Sequence, residues 1–198
     1  MWDERYSEAG FAYGTEPNAF LVSVIDQIPR GDVLCLCEGE GRNAVYLAKQ
    51  GCRVTAVDAS AVGMHKAQEL ATQQGVSLQT IVSDLEHFVI EKNHWDAIVS
   101  IFCHVPATLR AKVHQQCVAG LKPGGVLVLE AYTPKQLAYK TGGPAHEDMT
   151  MNLAALHKEL KGLLFSHAFE IDRDVIEGKY HTGKGAVVQI VALKPDDQ

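Results

Sequence analysis

The sequence predicts an α/β protein built on a doubly wound, mostly parallel seven-stranded sheet that ends in an antiparallel hairpin. Three observations carry that expectation. From about residue 32, short β-branched runs alternate with longer stretches of helical periodicity, which is the pattern of βαβ units. Gly51 and Gly75 punctuate two of the helical stretches at the point where a helix needs a left-handed residue to stop. Towards the end the rhythm changes, because two strand-like runs follow one another with only a short connection, and strands joined that way pair antiparallel.

Residues 33–37 (VLCLC) read as the first strand, and residues 42–50 as the helix that Gly51 ends. Cys35 and Cys37 stand two apart, so on a strand they share one face and read as small buried hydrophobes. A second strand at 53–57 is followed by a helix from Ser60, a suitable N-cap, to residue 74. The third strand is expected at 78–82 and the fourth at 95–101. A helix at 108–119 stops before the LKPGG segment at 121–125, and the fifth strand follows at 126–131. A polar stretch around Gly142, Gly143 and Pro144 leads to a helix near 153–164. The hairpin strands are expected at 169–177 and 186–193, joined through 180–185, where Gly183 and Gly185 suit a turn. Residues 1–30, with Trp2, Tyr6, Phe11 and Tyr13, hold too few apolar residues for a domain of their own. They read as a lid and helix on a core at 31–198, within a single domain spanning 1–198.

Composition excludes several functions. The chain has 198 residues, 46% of them hydrophobic, enough for one well-buried core. Its 18 Lys and Arg against 24 Asp and Glu give a formal charge of −6, with no basic stripe to neutralise phosphates, so nucleic acid is not an expected partner. The five cysteines are odd in number and lack C-x-x-C spacing, and the nine histidines contain no H-E-x-x-H, so no metal site is expected. Near residues 20–25 the apolar run is interrupted by Ser23 and closed by Asp26, which suits neither a signal peptide nor a membrane span. The expected location is the cytoplasm, as a monomer or homodimer.

In an open parallel sheet, ligands bind beyond the carboxyl ends of the strands, so the residues after each strand carry the chemistry. Gly39 and Gly41, in the segment EGEGRN at 38–43, let backbone approach a ligand at the start of a helix. Read through Ala44 as G-x-G-x-x-A, the same loop suits a dinucleotide. Asp58, followed by Ala59, ends the second strand where a carboxylate accepts from both hydroxyls of a ribose; capping the next helix is its blander role. After the third strand, Asp84 has the chemistry to accept from an adenine amino group and Leu85 to cover the ring, unless Asp84 is a solvated loop acid.

Taken together, these pieces resemble a class I S-adenosylmethionine-dependent methyltransferase, close to the tellurite-resistance and thiopurine methyltransferase-like branch. The resemblance runs through Trp2 to Tyr6 with Tyr13 and Gly14, the Gly39 to Asn43 loop, Val57 to Ser60, Asp84 and Leu85, the LKPGG segment, and the terminal hairpin. It implies a Rossmann-like methyltransferase fold with S-adenosylmethionine as cofactor and S-adenosylhomocysteine as product. It implies further that Gly39 and Gly41 receive the methionine part, Asp58 with Ala59 the ribose, Asp84 and Leu85 the adenine, and that Ile101 lies beside the cofactor. The family commonly has an acid where Cys35 stands and a glycine where Cys37 stands. Glu38 is the nearest carboxylate to take over the attraction of the cofactor's ammonium and sulfonium groups.

On the acceptor side the candidates are His104, Tyr132, Tyr13 and Arg5. A loop histidine satisfying backbone is an equal reading of His104, and Cys103 reads either as a reactive thiol or as a packed one. A general base is needed only for a weakly acidic acceptor such as an amine or hydroxyl. No Asn-Pro-Pro-Tyr follows the fourth strand, which turns the expectation to a small molecule or to a thiol, selenium or tellurium acceptor. Two alternatives remain open at this point: a non-catalytic S-adenosylmethionine-binding protein, and an NAD-dependent oxidoreductase.

Overall fold

Helix α1 (Trp2–Tyr6) and helix α2 (Ala19–Ser23) precede the sheet in the computed structural model, which describes residues 2–196. The alternating region then runs β1 (Asp32–Leu36), α3 (Arg42–Lys49), β2 (Arg53–Asp58), α4 (Ala61–Gln73), β3 (Gln79–Val82), β4 (Trp95–Ile101), α5 (Ala107–Gly120) and β5 (Leu121–Tyr132). The chain closes with α6 (Gln136–Tyr139), α7 (Leu153–Glu159), β6 (Leu164–Glu177) and β7 (His181–Leu193). Seven strands form one sheet in the order β3-β2-β1-β4-β5-β7-β6. The first five are parallel, and β7 pairs antiparallel with both β5 and β6, as the sequence predicts.

That order follows from the connections. After β1 the chain winds outward through β2 and β3, then crosses back to lay β4 on the other side of β1. Strand order therefore reverses between β1 and β4, and the crevice outside their carboxyl ends is where an open α/β sheet admits a ligand. Side-chain alternation supplies the two layers. Val33 and Cys35 of β1 pack into a core with α2, α3 and α4, whereas Leu34 and Leu36 pack on the opposite face against Val113 and Cys117 of α5 and Leu156 of α7. The starts of α4 and α7 are fixed locally: Ser60 Oγ accepts from Gly63 N at 2.9 Å, and Asn152 Oδ1 from Ala155 N at 2.9 Å.

Four expectations need correction. Cys35 and Cys37 do not share a face, because β1 ends at Leu36 and Cys37, at φ +51°, turns towards the core layer opposite to that of Cys35. Helix α7 stops at Glu159 rather than near 164; Gly162 at φ +106° redirects the chain, and Leu164 already pairs with Leu193. The hairpin is longer than its sequence suggests and turns at Gly178, Lys179 and Tyr180, so residues 181–185 are strand. Gly178 is required there by φ +68° and by the Tyr13 backbone, which a Cβ would meet at 2.4 Å. The short helix α6 has no counterpart among the expected elements.

The antiparallel end of the sheet holds a buried ionic network. Glu130 of β5 is fully buried and accepts from Asn18 Nδ2 at 2.8 Å, Gln189 Nε2 at 2.5 Å and Arg173 Nε at 3.1 Å. Glu177 of β6 accepts from Asn18 Nδ2 at 2.8 Å and Arg42 Nη2 at 2.5 Å. Two carboxylates and two guanidiniums thus tie the N-terminal segment, α3 and three strands together, each charge matched by an opposite one. Among the described residues, no helix is long and apolar enough to cross a membrane.

Candidate active site

The loop after β1 is built around two carboxylates that replace missing backbone partners. Helix α3 starts from Gly41 without a side-chain cap at that residue, and Glu38 supplies one instead, its Oε1 accepting from Ala44 N at 2.8 Å. Burial pushes the Glu38 carboxyl up to about 7, against the Ala44 amide and the Arg42 charge, which favour the ionised form. Asp58, at the end of β2, accepts from Gly39 N through Oδ2 and from Ser60 N through Oδ1, both at 2.9 Å. Burial raises its pKa while the amides of Ser60, Gly39 and Ala59 hold it back. Each oxygen of Asp58 has a second lone-pair direction beyond those amides, which is the valence a pair of ribose hydroxyls would use.

The two glycines of this loop serve different purposes. A Cβ at Gly39 would meet the Tyr6 hydroxyl at 2.6 Å, so this glycine lets α1 lie against the loop, and it lines the crevice. Gly41 does not line it. With φ +90° and a virtual Cβ 2.6 Å from Ala67 Cβ, Gly41 allows α3 and α4 to pack closely.

Beyond these strand ends lies a cavity of about 800 Å³. Glu38, Gly39, Asp58, Ala59, Asp84, Leu85 and Ile101 all border it, so the ends of β1, β2, β3 and β4 open onto one space. Leu85 and Ile101 are buried against the core. Asp84 stands at the exposed rim, where its Oδ1 accepts from His87 N at 2.9 Å and contacts His87 Nδ1 at 2.7 Å; that histidine holds its carboxyl below the usual range. A wider concavity of about 920 Å³ lies beside β2 and β3, between Arg53 and Trp95, away from the glycine loop.

The N-terminal segment covers the cavity. Trp2, Arg5, Tyr6, Tyr13 and Gly14 border it. Asp3 anchors the segment to the start of α4, accepting from Ser60 Oγ at 2.5 Å, and Lys179 N donates to Ala12 O at 2.9 Å. Arg5 donates to the Tyr13 hydroxyl at 2.8 Å and lies over the Tyr180 ring, 4.8 Å from its centroid.

Opposite the acids is an aromatic wall. The Phe102 ring stacks on Tyr132 at 4.6 Å between centroids, and the His181 ring packs against Phe102 at 4.9 Å and Tyr13 at 4.6 Å. His104 reaches the cavity, but both its nitrogens serve backbone: Nδ1 contacts Met149 O at 2.8 Å, and Nε2 accepts from Tyr132 N at 3.3 Å. That geometry fixes Nδ1 as the protonated nitrogen, and burial lowers the pKa to about 4, so His104 is a neutral support for the loop. Tyr132 stands behind Phe102, fully buried, and does not border the cavity; Thr133 donates to Ala186 O at 3.3 Å.

The residue that the sequence reading missed is His181. It borders the cavity, burial lowers its pKa to about 3, and its buried Nδ1 has no hydrogen-bond partner among the described residues. An orphan polar atom of this kind is costly unless a ligand or water satisfies it.

Residues 33–125 match the family model described as a methyltransferase domain. The chain carries a methyltransferase domain. This makes the protein an enzyme with S-adenosylmethionine as its cofactor. Among solved structures of like fold is a protein from the conversion of a disulfide bond into a thioacetal group during echinomycin biosynthesis. It is 16% identical, with a TM-score of 0.79, covering 99% of this chain and 89% of its own. TehB from Haemophilus influenzae is 20% identical with a TM-score of 0.74, over 89% of this chain and 62% of TehB. A SAM-dependent methyltransferase from Methanosarcina mazei is 15% identical with a TM-score of 0.70, over 88% and 98% of the two chains. No curated protein sequence matches the chain.

The methyltransferase's cavity fits that cofactor on its own geometry. Its volume lies within the range of small-molecule sites, about 300–1,000 Å³. Its acids, Glu38 and Asp58, offer carboxylate acceptors of the kind a positively charged, hydroxyl-bearing ligand calls for, and Gly39 leaves the loop without a side chain.

Proposed function

We propose that this methyltransferase transfers a methyl group to a small thiol or chalcogen acceptor, and that residues 1–30 act as its lid within a single domain. The observation that carries the reading is the single cavity joining the acids of β1, β2 and β3 to an aromatic wall containing the unpartnered His181. When bound, S-adenosylmethionine supplies a methyl group already activated on a sulfonium. Asp58 would hold the ribose hydroxyls, Ala59 and Ile101 would flank the nucleoside, and Asp84 with Leu85 would frame the adenine. Gly39 and the ionised Glu38 would receive the methionine end. Gly41 supports that end indirectly, by setting how α3 meets α4.

The wall indicates the acceptor class. Phe102, Tyr13 and His181 present rings and no fixed charge, and Arg5 is turned to Tyr13 and Tyr180. A histidine with a pKa of about 3 is a weak base, so the neutral His181 ring orients an ionised acceptor by donating its N–H and does not remove a proton from an amine or alcohol. Acceptors that ionise by themselves near neutral pH, such as thiols and hydrogen chalcogenides, need no more than this. The fold neighbour described by the conversion of a disulfide bond into a thioacetal group lends support. The net charge of −6 favours a small-molecule partner over nucleic acid, and we take the chain to act in the cytoplasm as a monomer or homodimer.

The test is turnover of S-adenosylmethionine with matched acceptors: aryl and alkyl thiols, hydrogen selenide, and the corresponding amines and phenols. The reading expects product only from the sulfur and selenium compounds. Equal turnover of amines or phenols would overturn it. His181→Phe should lower kcat for the thiol and leave cofactor affinity unchanged; an unchanged kcat would remove His181 from the acceptor site.

A further inference from the structure

The switch point between β1 and β4 brings together two cysteines far apart in sequence. Cys37 follows β1 and Cys103 follows β4, 66 positions later, and their sulfurs lie 2.6 Å apart. That is well inside the non-bonded contact of two sulfur atoms and within about 0.6 Å of the length of a disulfide bond. Two left-handed residues create the approach: Cys37 itself at φ +51°, and Phe102, immediately before Cys103, at φ +52°. Neither is glycine, so each strand end holds a conformation that side chains disfavour, at adjacent positions across the pair. The thiols also differ in access. Cys37 borders the cavity, whereas Cys103 is buried behind it and does not.

We propose that Cys37 and Cys103 are a redox modification site, a dithiol that oxidises reversibly to a disulfide across the floor of the cavity. The oxidant is a small peroxide able to enter the cavity. The Cys37 sulfur attacks one peroxide oxygen, the O–O bond breaks, and Cys37 becomes a sulfenic acid as the first water leaves. The Cys103 sulfur then attacks the Cys37 sulfur, the S–O bond breaks, and a second water leaves with the Cys103 proton. Two thiols and one hydrogen peroxide give one disulfide and two waters, and a dithiol reductant reverses the change by exchange. The contact with the Cys103 thiol, and burial after it, keep Cys37 protonated, so the reaction calls for sustained exposure and is not a rapid peroxidase cycle. Cys35 and Cys117 are buried in the two core layers and Cys52 lies by Pro29, which leaves this pair as the one with bonding geometry among the described residues.

The experiment is disulfide mapping on the intact chain. Protein is held with hydrogen peroxide, alkylated without reduction, digested and analysed by mass spectrometry, with a parallel sample returned to dithiothreitol. The expected result is one peptide pair linked through Cys37 and Cys103, two hydrogens lighter than its parts, that disappears on reduction, with Cys35 and Cys117 alkylated once unfolded. Both cysteines recovered as free thiols, or either linked to a different cysteine, would overturn the proposal. Cys103→Ser should convert the product at Cys37 from a disulfide to a sulfenic acid trapped by dimedone. Since the linked peptide is sought in the unaltered protein, misfolding of that variant would not rescue the idea.

Discussion

The sheet handles buried carboxylates in two ways at its two ends, and the contrast separates function from architecture. Glu38 and Asp58, at the parallel end, are satisfied by backbone amides of neighbouring turns and keep lone pairs for something that arrives from the cavity. Glu130 and Glu177, at the antiparallel end, are surrounded by Arg42, Arg173, Asn18 and Gln189 and have nothing left to offer. In the proposed function one pair binds the ligand, while the other clamps the hairpin and the N-terminal segment to the sheet. Net charge at each end agrees: the clamp is neutral, and the loop acids remain available to a cation.

The contrast breaks most visibly at Glu130. Replacing it with alanine leaves Arg173 only the longer contact to Glu177, 3.3 Å from its Nη2, and strips Asn18 and Gln189 of their shared acceptor; loss of one partner of a buried pair costs about 3–5 kcal/mol. Urea unfolding should register that loss in Glu130→Ala, and a change below about 1 kcal/mol would show that the clamp is not worth what its burial implies. Asp58→Ala should behave differently. It removes charge-assisted hydrogen bonds worth about 1.5–3 kcal/mol, so S-adenosylmethionine affinity measured by calorimetry should fall roughly 10- to 100-fold. Affinity equal to the wild type would assign Asp58 to the loop alone.

Glu38 offers the smallest and most discriminating effect. Its folded pKa of about 7 lies above the ordinary 4.5, so the folded chain binds more protons than the unfolded one between those values. The stabilisation is complete below 4.5 and is lost as pH rises through about 7. Unfolding free energies of the wild type and Glu38→Gln should therefore converge or cross in favour of the variant as pH rises over that window. Cofactor affinity should gain from rising pH only in the wild type, because only there does a new negative charge appear beside the ammonium. Parallel pH profiles in both proteins would show that Glu38 does not titrate in this range.

Which parts were legible in the sequence follows the same division. The strands from β1 to β5, the Ser60 cap and the bordering positions Glu38, Gly39, Asp58, Asp84, Leu85 and Ile101 are set by short-range patterning and by the rule that ligands meet strand ends. The clamp joins Asn18 to Glu177 over 159 positions, a pairing that no local pattern announces. His181 was hidden by two glycines that look like turn residues. Both are in fact strand residues: Gly183 holds the positive φ expected of it, +128°, and a Cβ there would meet Thr141 at 2.9 Å, whereas Gly185 is admitted by packing alone, a Cβ meeting Val175 at 2.6 Å. Close packing and tight turning both select glycine, and the sequence alone does not distinguish them. His104 was equally divided between substrate and backbone in the sequence, and its two backbone partners decide for support.

The most direct test of the central claim is an experimental structure of the chain with S-adenosylhomocysteine. The account predicts the ribose hydroxyls on the Asp58 carboxylate, the adenine between Asp84 and Leu85, and the amino-acid end at Gly39 and Glu38. A nucleoside seated instead in the concavity beside β2 and β3, near Arg53 and Trp95, would contradict it.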